Sequence, residues 1–347
     1  MRAISLPAIV LLLLFGSLAY QPRNGALAPQ VEARQAATSP RLIEWDSLIY
    51  DEGQRRLVMV NAYLPPNKPE LAELWGWDGK DWKLIPGSGP SMRTNSSAVY
   101  DSRRKRIVLY GGVGNKASRE YDDRRGDTWE WDGQRWFQMA DNSVGTRDHH
   151  AMAYDEARGK TVMYGGVSSD GTLPRETWEW PSETWEWDGA KWTKMAATGP
   201  GGRISMGLVY DSRRKQVILF GGSDKAGKRY NDTWAWDGKS WRKVSEEGPP
   251  VRIGQSMAFD RRAGVIILSG GNAAGERLDD MWQWDGQRWT ELKLNGPRPS
   301  KRNGARMVYD TAREKLVLYG GYILEGGQRK ASDEMWEWDG LRWAQIK

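Results

Sequence analysis

The stretch DTWEWDGQRW, from Asp127 to Trp136, decides the fold. Thr128 to Trp131 is rich in β-formers, Asp132-Gly133 supplies the positive-φ residues of a tight hairpin, and Trp136 opens the returning strand. The block recurs as ETWEWDGAKW (Glu183 to Trp192), NDTWAWDGKSW (Asn231 to Trp241), DMWQWDGQRW (Asp280 to Trp289) and EMWEWDGLRW (Glu334 to Trp343), with a divergent first copy, ELWGWDGKDW (Glu73 to Trp82). All but one of the 21 tryptophans lie in these blocks or in a local duplication of one, so tryptophan is architectural here before it is functional. Only Trp45 stands outside.

A second signature precedes each block. YDSRRKRIVLYGG (Tyr100 to Gly112) has counterparts beginning at Tyr154, Tyr210, Phe259 and Tyr309, and a first copy, YDEGQRRLVMVNA from Tyr50, in which Asn61 and Ala62 replace the glycine pair. The anchors Asp51, Asp101, Asp155, Asp211, Asp260 and Asp310 recur about every 50 residues, the spacing of a propeller blade made of short strands. Turn residues divide each repeat into four strands. One ends at Tyr100, Arg106 to Tyr110 is the second, and the tryptophan block supplies the third and fourth. Trp129 and Trp131, two apart, share one face of the sheet and are expected to pack on the neighbouring blade.

These motifs resemble the kelch repeat in its bacterial form, similar to the central domain of galactose oxidase. The resemblance runs from about Arg41 to Lys347 and implies an all-β, six-bladed kelch-type β-propeller with four antiparallel strands per blade. The expected blades are 41–90, 91–144, 145–200, 201–249, 250–299 and 300–347. If each is built from one continuous segment, side-chain packing between first and last blades closes the ring; the alternative is a strand from the lead-in before Arg41 added to the sixth blade, a stretch that lacks β-branched alternation. The chain departs from the common pattern in its short W-D-G-x-x-W hairpin and in the missing glycine pair of the first copy. Kelch propellers host many activities, so fold does not carry function.

Composition narrows the chemistry. With no cysteine and only His149 and His150, thiolate or multi-histidine sites for zinc, iron or copper cannot be assembled. The copper and cysteine-crosslinked tyrosine of galactose oxidase are therefore ruled out; carboxylate and carbonyl sites for hard cations are the only metal option left, and no cofactor or metal site is assigned. A net charge of +6 without a basic helix or clustered basic run does not read as nucleic-acid binding. Arg2 precedes an apolar run from Ala8 to Phe15, and Ser17-Leu18-Ala19 fits a signal-peptidase site. Residues 1–19 read as an export signal rather than a stable span, for which the run is too short. Residues 20–40 read as a flexible lead-in, and the expected product is a secreted or periplasmic monomer.

Strand parity puts the blade-to-blade connections and the loops between second and third strands on one face. Five of those connections carry an arginine eight residues before the anchor: Arg93, Arg147, Arg203, Arg252 and Arg302. Their column has two readings. It pairs with a turn carboxylate or carbonyl inside each blade, as registered repetition predicts, or it binds an anion at an electropositive channel mouth to which the loop residues Lys116, Arg119, Arg124, Arg125, Arg175, Lys225, Lys228, Arg229, Arg277, Arg329 and Lys330 contribute. Residues that break the repeat are the sharper candidates. Asp148, His149 and His150 replace small or apolar residues after Arg147, as a general acid or base at the mouth or as packing at a blade interface. Trp45 either stacks on a sugar ring or caps the first blade.

Two functions follow from this reading. One is a non-catalytic exported scaffold that binds an anionic or carbohydrate ligand, a glycan or a partner protein. The other is a metal-free carbohydrate-active enzyme similar to the kelch-type sialic acid mutarotases.

Overall fold

The computed structural model describes residues 39–40, 47–61, 72–87, 89–114, 123–169, 179–195 and 198–347. These form six four-stranded antiparallel sheets, each a meander of consecutive segments. In the second blade the strands are Ser97–Asp101, Arg106–Tyr110, Thr128–Trp131 and Trp136–Ala140. Their register sets Tyr100 opposite Ile107, Ile107 opposite Trp131, and Trp131 opposite Trp136. The other inner strands are Ser47–Asp51, Ala151–Asp155, Gly207–Asp211, Ser256–Asp260 and Arg306–Asp310. The export signal, almost all of the lead-in and Trp45 lie outside the described residues. No helix among the described residues is long and apolar enough to cross a membrane.

The anchor aspartates build the first turn. Asp101 Oδ1 accepts the backbone N–H of Arg104 at 2.9 Å, and the residue after that arginine, Lys105, takes φ 56°. Such Asx capping explains why the anchor is Asp in all six copies. The tryptophan-block hairpins likewise have glycine in the left-handed region, with φ of 97° at Gly133 and 97° at Gly189.

One hydrophobic cluster sits at each junction between blades. Ile49, Val58, Val60 and Leu74 of the first blade meet Ile107, Leu109, Trp131 and Trp136 of the second. Trp129 packs against this same cluster, so both tryptophans of the third strand do face one neighbour. The opposite face of that strand holds the following blade by hydrogen bonds. Glu130 Oε1 accepts the indole N–H of Trp187 at 2.8 Å, and Thr128 Oγ1 accepts that of Trp192 at 2.9 Å. Thr184 and Glu186 repeat the pattern with Trp241 at 2.8 Å and Trp236 at 3.0 Å. Burying roughly 200 Å² of an indole contributes about 5 kcal/mol, against about 1 kcal/mol for its hydrogen bond. Apolar burial therefore holds the blades together, and the acceptors fix how each ring lies.

The ring closes without exchanging a strand among the described residues. Leu48, Tyr50, Met59 and Trp75 of the first blade pack on Val317, Tyr319 and Met335 of the sixth, with the Trp82 and Tyr319 rings 5.1 Å apart. The Tyr319 hydroxyl donates to the Pro40 carbonyl at 3.1 Å. Tyr110 and Tyr164 make the same bond to Gly145 at 2.6 Å and Gly201 at 3.1 Å, so Pro40 completes at the seam a contact that recurs within the ring.

Candidate functional site at the channel mouth

The arginine column takes the first of its two readings. Arg93, Arg147, Arg203, Arg252 and Arg302 are all buried, none more than 2% exposed. Each donates from Nη1 to the carbonyl of the first glycine of its own blade's pair: Gly111, Gly165, Gly221, Gly270 and Gly320, at 2.9 to 3.1 Å. Each also pairs with the carboxylate two residues before the first tryptophan of the third strand. Arg252 grips Asp280 through two bonds of 2.7 Å, Arg203 meets Asp232 at 2.7 Å, and Arg147 meets Glu183 at 3.2 Å. Arg93 pairs with Asp127 and Arg302 with Glu334. Burial pushes the Asp127 carboxyl up, but the Arg93 hydrogen bonds outweigh it and hold the group below the usual carboxylate range. The guanidinium groups are spent on the blades and present no anion-binding surface.

The glycine pair belongs to the same device. Gly112 N–H donates to the Arg147 carbonyl at 2.8 Å, and Gly166 N–H to the Arg203 carbonyl at 3.0 Å, so each pair grips the next blade's arginine backbone. At Gly165, with φ 69°, a Cβ would lie 2.5 Å from the Arg203 carbonyl oxygen. Only glycine fits.

The loop cations are also partnered. Arg124 pairs with Asp148 at 2.8 Å and Arg125 with Asp123 at 2.6 Å, while Lys330 pairs with Glu325 at 2.6 Å. Arg229 donates to Asn272 Oδ1 at 2.9 Å and Arg277 to Asn303 Oδ1 at 3.0 Å, each reaching the following blade. Among the described residues these loop charges are thus engaged, and Arg124, Arg229 and Arg277 tie neighbouring blades together; Lys116, Arg119 and Arg175 lie outside the described residues. In ETWEWPS-ETWEWDG, the tandem duplication from Glu176 to Gly189, the second copy forms the strand Thr184–Trp187, while Glu179 of the first forms a bridge with Ser168.

What remains at the mouth is the set of residues that break the repeat. Two positions after each arginine the backbone turns left-handed: φ is 57° at Asn95, 53° at His149, 56° at Ser205, 66° at Gly254 and 73° at Gly304. These turns lace the rim, with His149 N–H donating to Asn95 O at 3.0 Å, Gly254 N–H to Ser205 O at 3.2 Å and Gly304 N–H to Gly254 O at 2.8 Å. They enclose a cavity of about 160 Å³ at the channel mouth. A cavity of about 150 Å³ holds one six-membered ring.

Three of its wall residues carry charge or titrate: His149, His150 and Arg306. His149 Nδ1 lies 3.0 Å from Asp148 Oδ1, and the buried Arg124–Asp148 pair behind it fixes the carboxylate. His150 is fully buried and packs edge-on against Tyr110, ring centroids 5.5 Å apart. Burial first, then the charge of Arg147, pushes its imidazole down to about 3, so it stays neutral. It faces the Tyr110 carbonyl as Gln255, in the same register, donates to the Phe220 carbonyl at 3.0 Å. Of the two sequence readings, His150 is thus interface packing, and His149 with Asp148 stands at the mouth. Arg306 was not singled out from the sequence, although it breaks its register in the same manner: Ser97, Ala151, Gly207 and Ser256 occupy that position in other blades.

The opposite end of the channel differs. Arg261 of the fifth blade reaches Glu156 of the third and lies 3.6 Å from Glu52 of the first, strapping alternate blades across a cavity of about 260 Å³.

With this architecture in view, similarity to known proteins can be stated. Residues 188–347 match the KLHDC2/KLHL20/DRC7 Kelch-repeats domain, beginning at the third blade's tryptophan hairpin. Kelch repeats are thus shown over those residues, and the described residues together form a six-bladed β-propeller. The propeller is similar to a solved structure titled "Structure of YjhT", with a TM-score of 0.65 over 89% of this chain and 99% of that one, at 13% identity. At that identity the likeness is one of fold. Comparison with curated proteins gives no match for the propeller.

Proposed function

We propose that this propeller is a non-catalytic binding module whose site is the arginine-side mouth of the channel, and that its ligand is a small anionic or carbohydrate group carried by a glycan or a partner. The observation that carries this reading is the cavity wall, to which Arg306 brings a guanidinium among small polar and apolar residues. An anion is attracted by such a wall, and the low-dielectric surroundings strengthen the attraction. A glycan array probed with the protein and with Arg306→Ser tests the reading. Serine is native to that register at Ser97 and Ser256, so the variant is expected to fold. Acidic glycans should be retained by the parent and lost by the variant, and identical arrays would refute the assignment.

A second reading has one observation in its favour. The Asp148–His149 contact orients an imidazole at the mouth, the arrangement a general acid or base needs. A metal-free carbohydrate-active enzyme would then lose turnover in His149→Ser while keeping affinity, whereas a binding module has no turnover to lose. The reading also places the protein outside the cytoplasm, on the strength of the pattern at residues 1–19. Mass spectrometry of exported protein should find Tyr20 as the first residue, and an intact Met1 would refute export by cleavage.

A further inference from the structure

The end of the channel away from the arginine column carries a device that the blades themselves do not need. One residue after each anchor aspartate stand Glu52, Ser102, Glu156, Ser212, Arg261 and Thr311. A small hydroxyl residue serves in three blades, so the charges of the first, third and fifth answer to no requirement of the turn. Alternate blades share no junction, and their side chains can meet only across the opening. Arg261 makes that crossing: its Nη2 donates to Glu156 Oε1 and lies 3.6 Å from Glu52 Oε1. The three heads converge over the cavity of about 260 Å³, whose wall residues Leu48, Ala98, Met152, Leu208, Met257 and Met307 also line the cavity at the arginine-side mouth. The two cavities are therefore successive sections of one channel, spanned at this end by an ion triad.

This triad is solvated and unevenly balanced, the opposite of the buried column. Its side chains are 30 to 40% exposed, and one guanidinium serves two carboxylates. Water screens an attraction at that exposure, so the triad holds weakly and can let go. Only Glu156 receives a hydrogen bond, because 3.6 Å from Glu52 is too long for one. Burial, the largest influence, lifts the Glu156 carboxyl above the usual carboxylate range; Arg261 of the fifth blade opposes it, and Glu52 of the first and Asp155 of its own strand reinforce it. The Tyr210 hydroxyl of the fourth blade also lies near and is itself raised, by burial before any charge. The attraction between Arg261 and Glu156 is thus whole while Glu156 is ionised, and it is lost as the pH falls through that raised value.

We propose that Glu52, Glu156 and Arg261 form an acid-released latch on the channel. At neutral pH it is closed, and solutes reach the channel only through the arginine-side mouth. When Glu156 takes up a proton, Arg261 keeps no hydrogen-bonded carboxylate and turns out to water, which opens the second end.

The chain has no cysteine, so a single introduced thiol reports access without background. Val209→Cys places one on the wall behind the latch, outside the section shared with the other mouth, and Ala190→Cys on an exposed hairpin provides the reference. Reaction with 4,4′-dithiodipyridine, followed by absorbance, is expressed as the ratio of the two rates, which removes the pH dependence of the thiol itself. The ratio should be low near neutral pH. At about pH 4.5, close to the ordinary glutamate value, it should rise at least about tenfold, since the rate follows the population of the open form. Glu156→Gln and Arg261→Ser should show the high ratio already at neutral pH, serine being native to this register at Ser102 and Ser212. A ratio that acid leaves unchanged, or that stays low in both latch variants, would overturn the proposal. So would a rise with acid in Arg261→Ser as large as that of the parent, because acid would then be acting elsewhere than on the latch.

Discussion

Replacing Arg203 by alanine separates a blade residue from a ligand residue, because the two roles predict opposite outcomes. The side chain is 1% exposed, bonds the carbonyls of Gly221 and Pro200, pairs with Asp232 and lies 4.1 Å from the centre of the Tyr230 ring. Removing one partner of a buried pair leaves the other desolvated and typically costs about 3–5 kcal/mol. The orphaned carbonyls add to that figure, and the partial exposure of Asp232, at 12%, subtracts from it, so about 4 kcal/mol is the working value. For a cooperative unit of about 300 residues, 1 kcal/mol corresponds to about 1.5–2 °C, giving a fall in Tm of about 6–8 °C. Differential scanning calorimetry reads this directly. Arg203→Lys should fall between, keeping charge but losing the fork. Lys239→Ala, on an exposed hairpin, should stay within about 0.5 kcal/mol of the parent. A melting temperature unchanged in Arg203→Ala, together with lost ligand affinity, would refute the buried pairing and return the column to the binding surface.

Two further outcomes follow from single residues. His150 is held neutral in the folded state at about 3, while in the unfolded chain it titrates near 6.5. Below about pH 6.5 the unfolded chain binds a proton that the folded one refuses. Stability contributed by neutral His150 is therefore whole above that pH and declines until about pH 3, with about 2 kcal/mol gone at pH 5. His150→Gln, the residue native to this register at Gln255, should flatten urea-derived stability between pH 7 and pH 5, and an unchanged slope would refute the burial of the imidazole. At the tryptophan hairpins, Gly79 and Gly189 share the left-handed backbone at 101° and 97° but differ in surroundings. A Cβ at Gly79 meets nothing within 4 Å, whereas at Gly189 it would lie 2.5 to 2.9 Å from the Arg104 guanidinium. Gly79→Ala should cost about 1 kcal/mol of backbone strain and Gly189→Ala measurably more, by chemical denaturation. Equal losses would show that Arg104 yields freely.

The fold was legible because the chain states it six times. The W-D-G hairpins, the Asp anchors and the glycine pairs each solve a local problem of turn geometry or close approach, and a local solution leaves its mark at fixed spacing. The third-strand acceptors Thr128 and Glu130, repeated at Thr184 and Glu186 but not in every copy, went unread, since nothing in a strand's own sequence says which neighbour supplies the indole N–H. The seam at Pro40 was missed for a related reason: a single carbonyl accepting from Tyr319 leaves no pattern in the sequence.

The site was half legible, and the missing half has a physical cause. Looking for charge at the mouth pointed to Arg93, Arg147, Arg203, Arg252 and Arg302, whose repetition already implied that each blade needs one. Once those cations are bound to Asp127, Glu183, Asp232, Asp280 and Glu334, the registered charge of the repeat is used, and the proposed site falls to positions that differ from blade to blade. Register mates make those positions visible. Where five blades place Ser47, Ser97, Ala151, Gly207 and Ser256, the sixth places Arg306; where others have Ser96 and Met206, the fifth has Gln255. A blade accommodates these different side chains because the backbone bonds of the rim lace neighbouring blades together, with side-chain bonds such as Gln255 to the Phe220 carbonyl and Ser256 to the Ala305 carbonyl added to them. That tolerance lets one ring of shared architecture present a different wall at its mouth without disturbing the junctions beneath. It also explains why the residues that best identify this chain as a propeller say least about what it binds.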